Sequence, residues 1–403
     1  MNILKKVFCR VYQFAFHAAL PVLPYREPEI LGSTNEIASV IKNLGYNSVL
    51  IVTDEFLKNS GATQTMEKSL YDNGISVTVY DKTRPNPTTD NVEEALEFYR
   101  KNNCQCLIAF GGGSAMDCAK AVGARVVYPR RSLDSLKGDL RIFRKLPPFF
   151  AVPTTAGTGS EVTLTAVITD AEKKHKYTMN SFPLIPHYAV LDPTVTYTLP
   201  KNLTATTGMD ALTHAVEAYI GRSTSRETRQ LSKEVVKLVF GNIETAYSEP
   251  ENYSARKNML TAAYKAGIAF SKSYVGYAHA VAHSLGGQYN VPHGLANSVI
   301  LPVALEFYGK AVYKKLYELA KYSGILNEKD TIESGSKKFI EKINTLNKEM
   351  NIPETIEGIE EKDIPHMAKH ADKEGNPLYP VPVLMNAKEL EKFYYAVADW
   401  SRK

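Results

Sequence analysis

The sequence predicts an N-terminal half of α/β class, built on a parallel sheet, followed by an all-helical C-terminal half. Short β-branched runs alternate with helical patterns between residues 46 and 192, which is typical of parallel strands joined by crossover helices. After Leu199-Pro200 the apolar residues recur at helical spacing, with scarcely a strand signal among them. We therefore expect three segments, namely an amphipathic extension over 1–27, an α/β domain over 28–198 and a helical domain over 199–403.

Apolar runs in the first half predict its strands. Four of them predict buried central strands, at 48–53, 75–80, 106–110 and 149–153. Two further runs predict added, partly exposed strands at 161–169 and 188–191.

Helical spacing predicts crossover helices at 62–73 and 90–102. The second helix follows the rigid turn Pro85-Asn86-Pro87-Thr88, and Asp90 is its expected N-cap. In the second half the same periodicity predicts helices at 202–219, 226–243, 251–270, 278–285, 296–307, 311–323 and 331–347.

Composition limits the function classes. The chain has 403 residues, of which 44% are hydrophobic and 23% charged, as in ordinary globular proteins. The net charge is only +5 and the lysines are dispersed, so we expect no nucleic-acid partner. Four cysteines are too few for a secreted disulfide framework in a chain of this length, which indicates reduced thiols and a cytoplasmic location.

The first residues have an ambiguous pattern. Two lysines precede an apolar stretch at 7–23, as in a signal peptide, but Arg10, Gln13 and His17 interrupt the stretch. An amphipathic helix explains the pattern better, lying either on the protein itself or on a membrane surface. We favour packing on the protein's own body and do not expect a membrane surface as a partner.

A glycine turn joins a buried strand to a helix at Gly111-Gly112-Gly113. Glycines let a ligand approach the backbone closely, and the amides of the following helix N-terminus suit a pyrophosphate. The turn departs from G-x-G-x-x-G, so a purely structural tight turn stays an alternative. Asp54, at the end of an earlier strand, is a candidate to accept hydrogen bonds from a ribose and to disfavour NADP; it is also a candidate helix N-cap, and the two roles are compatible.

A loop rich in hydroxyl groups follows another strand at 153–161. Its hydroxyls and amides can hold a phosphate, a ribose or a nicotinamide amide. A structural turn is the alternative interpretation.

Potential metal ligands are concentrated in two segments. Asp210 and His214 are four residues apart and share a helix face; His279 and His283 repeat that spacing, and His293 follows. One such pair is usually coincidence. Because two pairs occur with a further histidine, and because imidazoles with a carboxylate suit iron(II) or zinc, we predict a divalent metal site.

Taken together, these motifs resemble the iron-containing (group III) alcohol dehydrogenase family, which is related by fold to glycerol dehydrogenase and dehydroquinate synthase. The resemblance runs from about Pro28 to the C-terminus and implies the dehydroquinate synthase-like fold. It covers, in the family's order and spacing, the segments 85–88, 111–120, 154–161, 208–219 and 267–294.

Carried over residue by residue, the resemblance implies a catalytic role for His283, as a proton relay beside the nicotinamide, and an aromatic wall of the substrate pocket at Phe270. The implied ligands of Fe²⁺, or alternatively Zn²⁺, are Asp210, His214, His279 and His293. The implied contacts to NAD are Asp54, Gly112, Gly113, Ser114, Asp117, Thr154, Thr155, Thr158 and Lys176.

The resemblance implies hydride transfer between a small alcohol or aldehyde and NAD(H), with the metal polarising the substrate oxygen, in a homo-oligomer, expected to be a dimer. Asn376-Pro377-Leu378 departs from the family's frequent Asn-Pro-Arg, so the preferred alcohol stays open. Two alternatives are a zinc-dependent, NAD-using lyase of the dehydroquinate synthase type and a non-enzymatic metal- or nucleotide-binding scaffold. The lyase would need basic residues for a polyanionic substrate, which the metal segments lack.

Overall fold

The computed structural model describes residues 1–19, 23–172 and 175–401, and the chain forms two compact units. The first helix, α1 (Ile3–Ala19), groups with the C-terminal half. We call Pro24–Leu199 the sheet unit, and Met1–Leu23 together with Pro200–Lys403 the helical unit.

The sheet unit contains a parallel six-stranded sheet and a smaller three-stranded sheet. Its strands are β1 (Glu29–Leu31), β2 (Ser48–Val52), β3 (Ser76–Tyr80), β4 (Cys106–Gly111), β5 (Gly138–Asp139), β6 (Phe149–Pro153), β7 (Thr165–Asp170), β8 (His175–Asn180) and β9 (Tyr188–Val190). The parallel sheet has the order β1-β9-β6-β4-β2-β3, and the smaller sheet has the order β5-β8-β7.

Apolar cores cover both faces of the parallel sheet. Along β2, Leu50 and Val52 pack into one core, whereas Val49 and Ile51 pack into the other. This arrangement explains why the central strands are apolar without alternation. The helices of the unit are α2 (Glu36–Asn43), α3 (Glu55–Asn59), α4 (Gln64–Asp72), α5 (Thr89–Lys101) and α6 (Gly113–Val127).

The helical unit is organised around a buried helix. Its helices after α1 are α7 (Lys201–Ile220), α8 (Arg226–Ser248), α9 (Tyr253–Ser273), α10 (Tyr277–Tyr289), α11 (His293–Tyr308), α12 (Tyr313–Ser323), α13 (Ile332–Glu349), α14 (Ile364–Gly375) and α15 (Ala387–Val397). Helix α7 is buried from residue 208 onward and packs against α8, α9 and α11. The polar residues on its buried stretch are therefore enclosed by protein.

The predicted fold class is confirmed, since a parallel sheet precedes a helical region. In the described part of the chain, no helix taken alone combines the length and apolarity of a membrane span. The segments His293–Ala311 and Tyr313–Ser323 meet those criteria only as a pair, which is bent by 119°.

Several local predictions need correction. The strand predicted at 75–80 as central is the edge strand β3, whose residues 76–79 are incompletely buried because it has one neighbour. The strand predicted at 161–169 begins only at Thr165, in the smaller sheet, after a 3₁₀ turn. The N-cap of α5 is Thr88 rather than Asp90, because the Thr88 hydroxyl accepts a hydrogen bond from the Asn91 amide.

Several elements were not predicted. Strands β1 and β5 are only three and two residues long, and β8 carries polar residues, so none has the apolar run of a buried strand. Helices α14 and α15 follow a stretch of short turns near the C-terminus. Their burial is supplied by packing against each other and against α10.

A buried lysine holds the turn between β6 and β7. Lys120 Nζ donates to the Ser160 carbonyl at 2.8 Å, to the Thr163 hydroxyl at 2.9 Å and to the Thr165 carbonyl at 2.8 Å. Burial lowers the pKa of Lys120 to about 8.

Glu161 is buried beside Lys120, and within the described chain its Oε1 atom has no hydrogen-bond partner. Burial raises the pKa of Glu161 to about 7.

Glu161 should make the stability of the protein pH-dependent. Because its pKa is raised in the folded state, its protonated form favours folding at low pH, and this contribution is lost as the pH rises through about 7. Glu161→Gln should therefore raise the melting temperature, relative to the unsubstituted protein, more at pH above 8 than at pH 5. The control is Glu97→Gln, at an exposed glutamate, which should leave the melting temperature unchanged at both pH values. An equal effect of Glu161→Gln at both pH values would contradict the assignment.

Candidate functional site

The sheet unit places three loops at the carboxyl ends of adjacent parallel strands. Asp54 follows β2, Gly112 follows β4 and Thr154 follows β6, and β4 pairs with both of the other strands. Ligands of open α/β sheets bind outside the carboxyl ends of the parallel strands. The predicted dinucleotide contacts Asp54, Gly112, Gly113, Ser114, Thr154, Thr155 and Thr158 therefore lie on segments at one edge of the sheet.

The glycine turn and the hydroxyl-rich loop are in close contact. A Cβ atom on Gly112 would lie 3.4 Å from Thr155 Oγ1, and one on Gly113 would lie 3.2 Å from Thr158 Cγ2. Gly112 is the N-cap of α6 and offers no side-chain oxygen to the first amides of that helix. These amides next to two threonines form a suitable place for a phosphate group.

Asp54 faces the same turn. Its Oδ1 accepts a hydrogen bond from the Leu57 amide at 2.9 Å, so Asp54 is the N-cap of α3. Its Oδ2 lies 4.0 Å from the position of a Cβ atom built on Gly111. The carboxylate therefore both caps a helix and lies beside the glycine turn.

Two predicted cofactor contacts have protein partners of their own. Asp117, on α6, accepts a hydrogen bond from Ser160 Oγ at 3.3 Å, and burial raises its pKa to about 6. Lys176, on β8 of the smaller sheet, donates to Asn86 Oδ1 at 2.9 Å, and burial lowers its pKa. The partners of both side chains lie within the sheet unit.

The helical unit brings one carboxylate and three imidazoles together. Asp210 and His214 lie on α7, His279 lies on α10, and His293 is the first residue of α11. One potential ligand atom from each residue lies within 4.8 Å of the others. Asp210 Oδ1 is 3.9 Å from His279 Nε2 and 3.5 Å from His293 Nε2. We call these four residues the donor cluster.

The donor cluster fits a divalent cation such as iron(II) or zinc. Two donors bound at 2.0–2.2 Å to one ion can be separated by at most about 4.4 Å, and the distances of 3.9 and 3.5 Å from Asp210 Oδ1 to the two histidine nitrogens satisfy that limit. His279 Nε2 is buried, and no described residue provides it with a hydrogen-bond partner. Burial lowers the pKa of His293 to about 4 and that of His279 well below its usual range, so both imidazoles are neutral at neutral pH, as ligands must be.

Two polar side chains hold the donor cluster in place. Glu217 Oε2 lies 2.6 Å from His279 Nδ1, and the same carboxylate accepts hydrogen bonds from the Gly276 and Ala278 amides at 2.7 and 2.8 Å. Since an Nδ1 proton bound to Glu217 leaves the Nε2 lone pair directed at Asp210, the contact selects the ligating tautomer. Asn297 Nδ2 donates to Asp210 Oδ1 at 2.7 Å.

Two other predicted residues lie against the donor cluster. The ring of Phe270 stacks on His214 with centroids 4.3 Å apart, and the ring of His283 stacks on His293 at 5.1 Å. His283 Nδ1 lies 2.6 Å from Glu374 Oε1, which also accepts a hydrogen bond from the Tyr379 hydroxyl at 2.7 Å. Burial raises the pKa of Glu374, but His283 and Tyr379 outweigh it, and the net pKa is lowered.

Sequence patterns alone did not predict site roles for Glu217, Asn297 or Glu374. Asn297 lies four residues after His293 on the same helix face, and Glu217 lies on α7 two turns after Asp210, so helical spacing could have drawn attention to both. Glu374 carries no such local signal, because it lies on α14, 91 residues from His283.

Known families match both halves of the chain. The family described as iron-containing alcohol dehydrogenase matches residues 30–193, and the C-terminal family of Fe-containing alcohol dehydrogenases matches residues 204–398. The chain is 37% identical over 357 residues to 1,3-propanediol dehydrogenase of Citrobacter freundii, covering 88% of this chain and 92% of that protein.

Solved structures resemble more than nine tenths of the chain. The crystal structure of 1,3-propanediol oxidoreductase has a TM-score of 0.88 at 34% identity, covering 92% of this chain and 98% of that one. Sulfoacetaldehyde reductase from Bifidobacterium kashiwanohense, solved in complex with NAD⁺, has a TM-score of 0.84 at 28% identity, covering 94% and 99%.

Removing the charge of Glu217 should weaken metal binding without removing a ligand. Glu217→Gln should lower the affinity for Zn²⁺ by about 10–100-fold, because the His279 tautomer is no longer fixed. Competition with a chromogenic chelator at constant pH measures the affinity. The control is Glu227→Gln, at a half-exposed glutamate that pairs with Lys272. Unchanged affinity in Glu217→Gln would show that Glu217 does not orient His279.

Proposed function

Because the chain belongs to the iron-containing alcohol dehydrogenase family, we propose specific roles for its residues in that family's reaction. The protein is a metal-dependent oxidoreductase that transfers a hydride between an alcohol or aldehyde and NAD(H). In our proposal the domain at 28–198 holds the dinucleotide and the domain at 199–403 holds the metal.

The proposal depends on one observation, namely that the potential ligand atoms of the donor cluster lie within 4.8 Å of one another. Its four residues would be the metal ligands, and iron(II) is the proposed ion, with zinc as the alternative that the same donors suit. A divalent ion bound there supplies Lewis-acid polarisation of the substrate oxygen. Metal analysis of protein purified without oxygen distinguishes the two ions.

His283 is the proposed proton relay. Its Nδ1 faces the Glu374 carboxylate, so the Nε2 atom takes up the proton that the alcohol hydroxyl loses. The negative charge of Glu374 stabilises the protonated ring, and in the reverse direction the ring returns the proton to the carbonyl oxygen of the aldehyde. The Tyr379 hydroxyl fixes the position of Glu374.

Phe270 would form an apolar wall for the carbon chain of the substrate. It is partly exposed and its ring stacks on His214, so one ring face is held beside a proposed ligand. This contact supports the placement of the substrate next to the donor cluster.

The proposed dinucleotide contacts lie at the carboxyl ends of the parallel strands. The amides at Gly112, Gly113 and Ser114 would hold the pyrophosphate, because they begin α6. Asp54 would accept hydrogen bonds from the ribose hydroxyls and repel a 2′-phosphate, which favours NAD over NADP. The remaining proposed cofactor contacts are Asp117, Thr154, Thr155, Thr158 and Lys176.

The two alternative functions are not favoured. The matched relative is a dehydrogenase rather than a lyase, and the structure brings together potential metal ligands instead of a polyanion site of basic residues at the donor cluster. A scaffold without activity would form no NADH from alcohol and NAD⁺.

We also propose a cytoplasmic homodimer. The four cysteines are buried and free, as expected in a reducing compartment. Light scattering after size-exclusion chromatography measures the mass of the assembly, and cell fractionation measures its location.

Loss of a donor should abolish catalysis but spare the dinucleotide site. Asp210→Ala and His279→Ala should each reduce turnover by roughly a thousandfold, because Lewis-acid stabilisation contributes several kcal/mol. Bound metal should be lost, whereas NAD⁺ affinity measured by calorimetry should be nearly unchanged. The control is His366→Ala, since His366 pairs with His370 outside the donor cluster. Full turnover in either donor variant would refute the ligand assignment.

Removing the Asp54 carboxylate should relax the preference for NAD. Asp54→Asn removes the charge but keeps a capping side chain, and Asp54→Gly removes both at a small cost to the helix. Both variants should raise the NADP/NAD ratio of kcat/KM by roughly tenfold, because the repulsion of a 2′-phosphate is lost. A ratio that stays the same in both variants would argue against the ribose role.

A further inference from the structure

Helix α1 packs on the helical unit through its polar face. Gln13 is buried, and its Nε2 donates to the Pro377 and Tyr379 carbonyls at 3.0 and 2.7 Å. Arg10 donates to the Val381 carbonyl at 2.8 Å. These hydrogen bonds to backbone acceptors hold the helix in place, together with the buried Cys9 side chain.

The apolar face of α1 therefore points away from the helical unit. This orientation is the reverse of that of an ordinary surface helix, whose apolar stripe faces the core. The exposed fractions of its large apolar side chains range from 42% to 79%, at Ile3, Leu4, Val7, Phe8, Val11, Tyr12 and Phe14. A contiguous apolar patch of this kind marks an interaction site for a membrane or a protein.

A groove extends this apolar face. Val7, Val11 and Phe14 line one side, and residues 382–384 line the other, around a volume of about 560 Å³. Lys6 and Arg10 also contribute to the lining. The groove thus combines apolar walls with cationic side chains.

The charged side chains of α1 itself are all positive, and Asp372 and Glu389 are acidic neighbours of the helix. Helix α1 contains Lys5, Lys6 and Arg10 but no acidic residue. Lys5 is paired with Asp372 at 3.2 Å, whereas Arg10 is held by carbonyl groups that leave its charge uncancelled. Arg222 is exposed and close enough to lower the pKa of Arg10, after the larger effect of burial.

We propose that α1 docks the protein onto an anionic lipid bilayer, lying in the plane of the interface. The helix is about 25 Å long, and an apolar face flanked by cations is typical of interfacial helices. A second copy of this chain is the other candidate occupant. The charge disfavours it, because two α1 faces in contact would juxtapose like charges, whereas acidic headgroups would complement them. The sequence of residues 1–27 instead favoured packing on the protein itself, without a membrane partner.

Flotation of the metal-loaded, full-length protein with lipid vesicles tests the proposal. We expect binding to phosphatidylcholine vesicles that contain one third phosphatidylglycerol, and at least about tenfold weaker binding to pure phosphatidylcholine. High salt should also weaken binding, because it screens the attraction to the headgroups. Absence of binding to the anionic vesicles would overturn the proposal.

Paired variants separate α1 from the rest of the surface. Phe14→Ser should reduce vesicle affinity by about tenfold or more, whereas Phe143→Ser should not, although the two phenylalanines are 72% and 74% exposed. Lys6→Glu should weaken binding more than Lys329→Glu, at another exposed lysine. All four side chains are exposed, so alcohol turnover should be unchanged and should confirm folding. Equal effects of the α1 variants and their controls would contradict the docking role.

Size-exclusion chromatography without lipid tests whether the apolar face of α1 binds a second copy of this chain. If Phe14→Ser dissociated an oligomer while the unsubstituted protein did not bind vesicles, the apolar face would be a protein interface and the lipid proposal would be wrong.

A tryptophan reporter, Phe8→Trp in a Trp400→Phe background, gives a direct spectroscopic measurement of insertion. Its emission should shift to shorter wavelength with anionic vesicles, and an unshifted spectrum would contradict insertion of α1.

Discussion

The helical unit depends on holding a buried carboxylate, Asp210, within reach of three imidazoles. Asp210 is buried on α7, and the unfavourable burial of its charge requires hydrogen bonds or a bound cation to offset it. Asn297 provides one such hydrogen bond. Burial lowers the pKa of His279 and His293, so these two imidazoles are neutral and their lone pairs remain available. This combination of one anion with neutral nitrogen donors makes the cluster selective for a cation.

The packing of the helices serves this arrangement. At the start of α11, a Cβ atom on Gly294 would lie 2.6 Å from the Thr206 carbonyl oxygen, so only glycine permits α11 to approach α7 this closely. The close approach brings His293, the preceding residue, to Asp210. Glu217 links α7 to the first turn of α10 in a similar way, through two amides and the His279 ring. The contacts of Gly294 and Glu217 with neighbouring helices thus hold His293 and His279 next to Asp210.

The sequence predicted the parts of the site that local spacing determines. Asp210 and His214 share a helix face because they are four residues apart, and the structure places both in the donor cluster. Helical spacing relates Glu217 to Asp210, but it does not relate Glu217 to its partner His279, which is 62 residues away. Glu374 is 91 residues from His283, and pairing across such distances depends on tertiary packing. The same limit explains β3: its composition predicted a strand, but the number of its neighbours depends on the order of strands in the sheet.

We expect the four residues of the donor cluster to hold one metal ion. The most direct measurement is a crystal structure of protein reconstituted with iron(II) without oxygen, with anomalous data collected on both sides of the iron absorption edge. We expect a single strong anomalous peak at about 2.0–2.2 Å from an oxygen of Asp210 and a nitrogen of each of the three histidines. A peak elsewhere, or no peak at the cluster in fully loaded protein, would contradict the account.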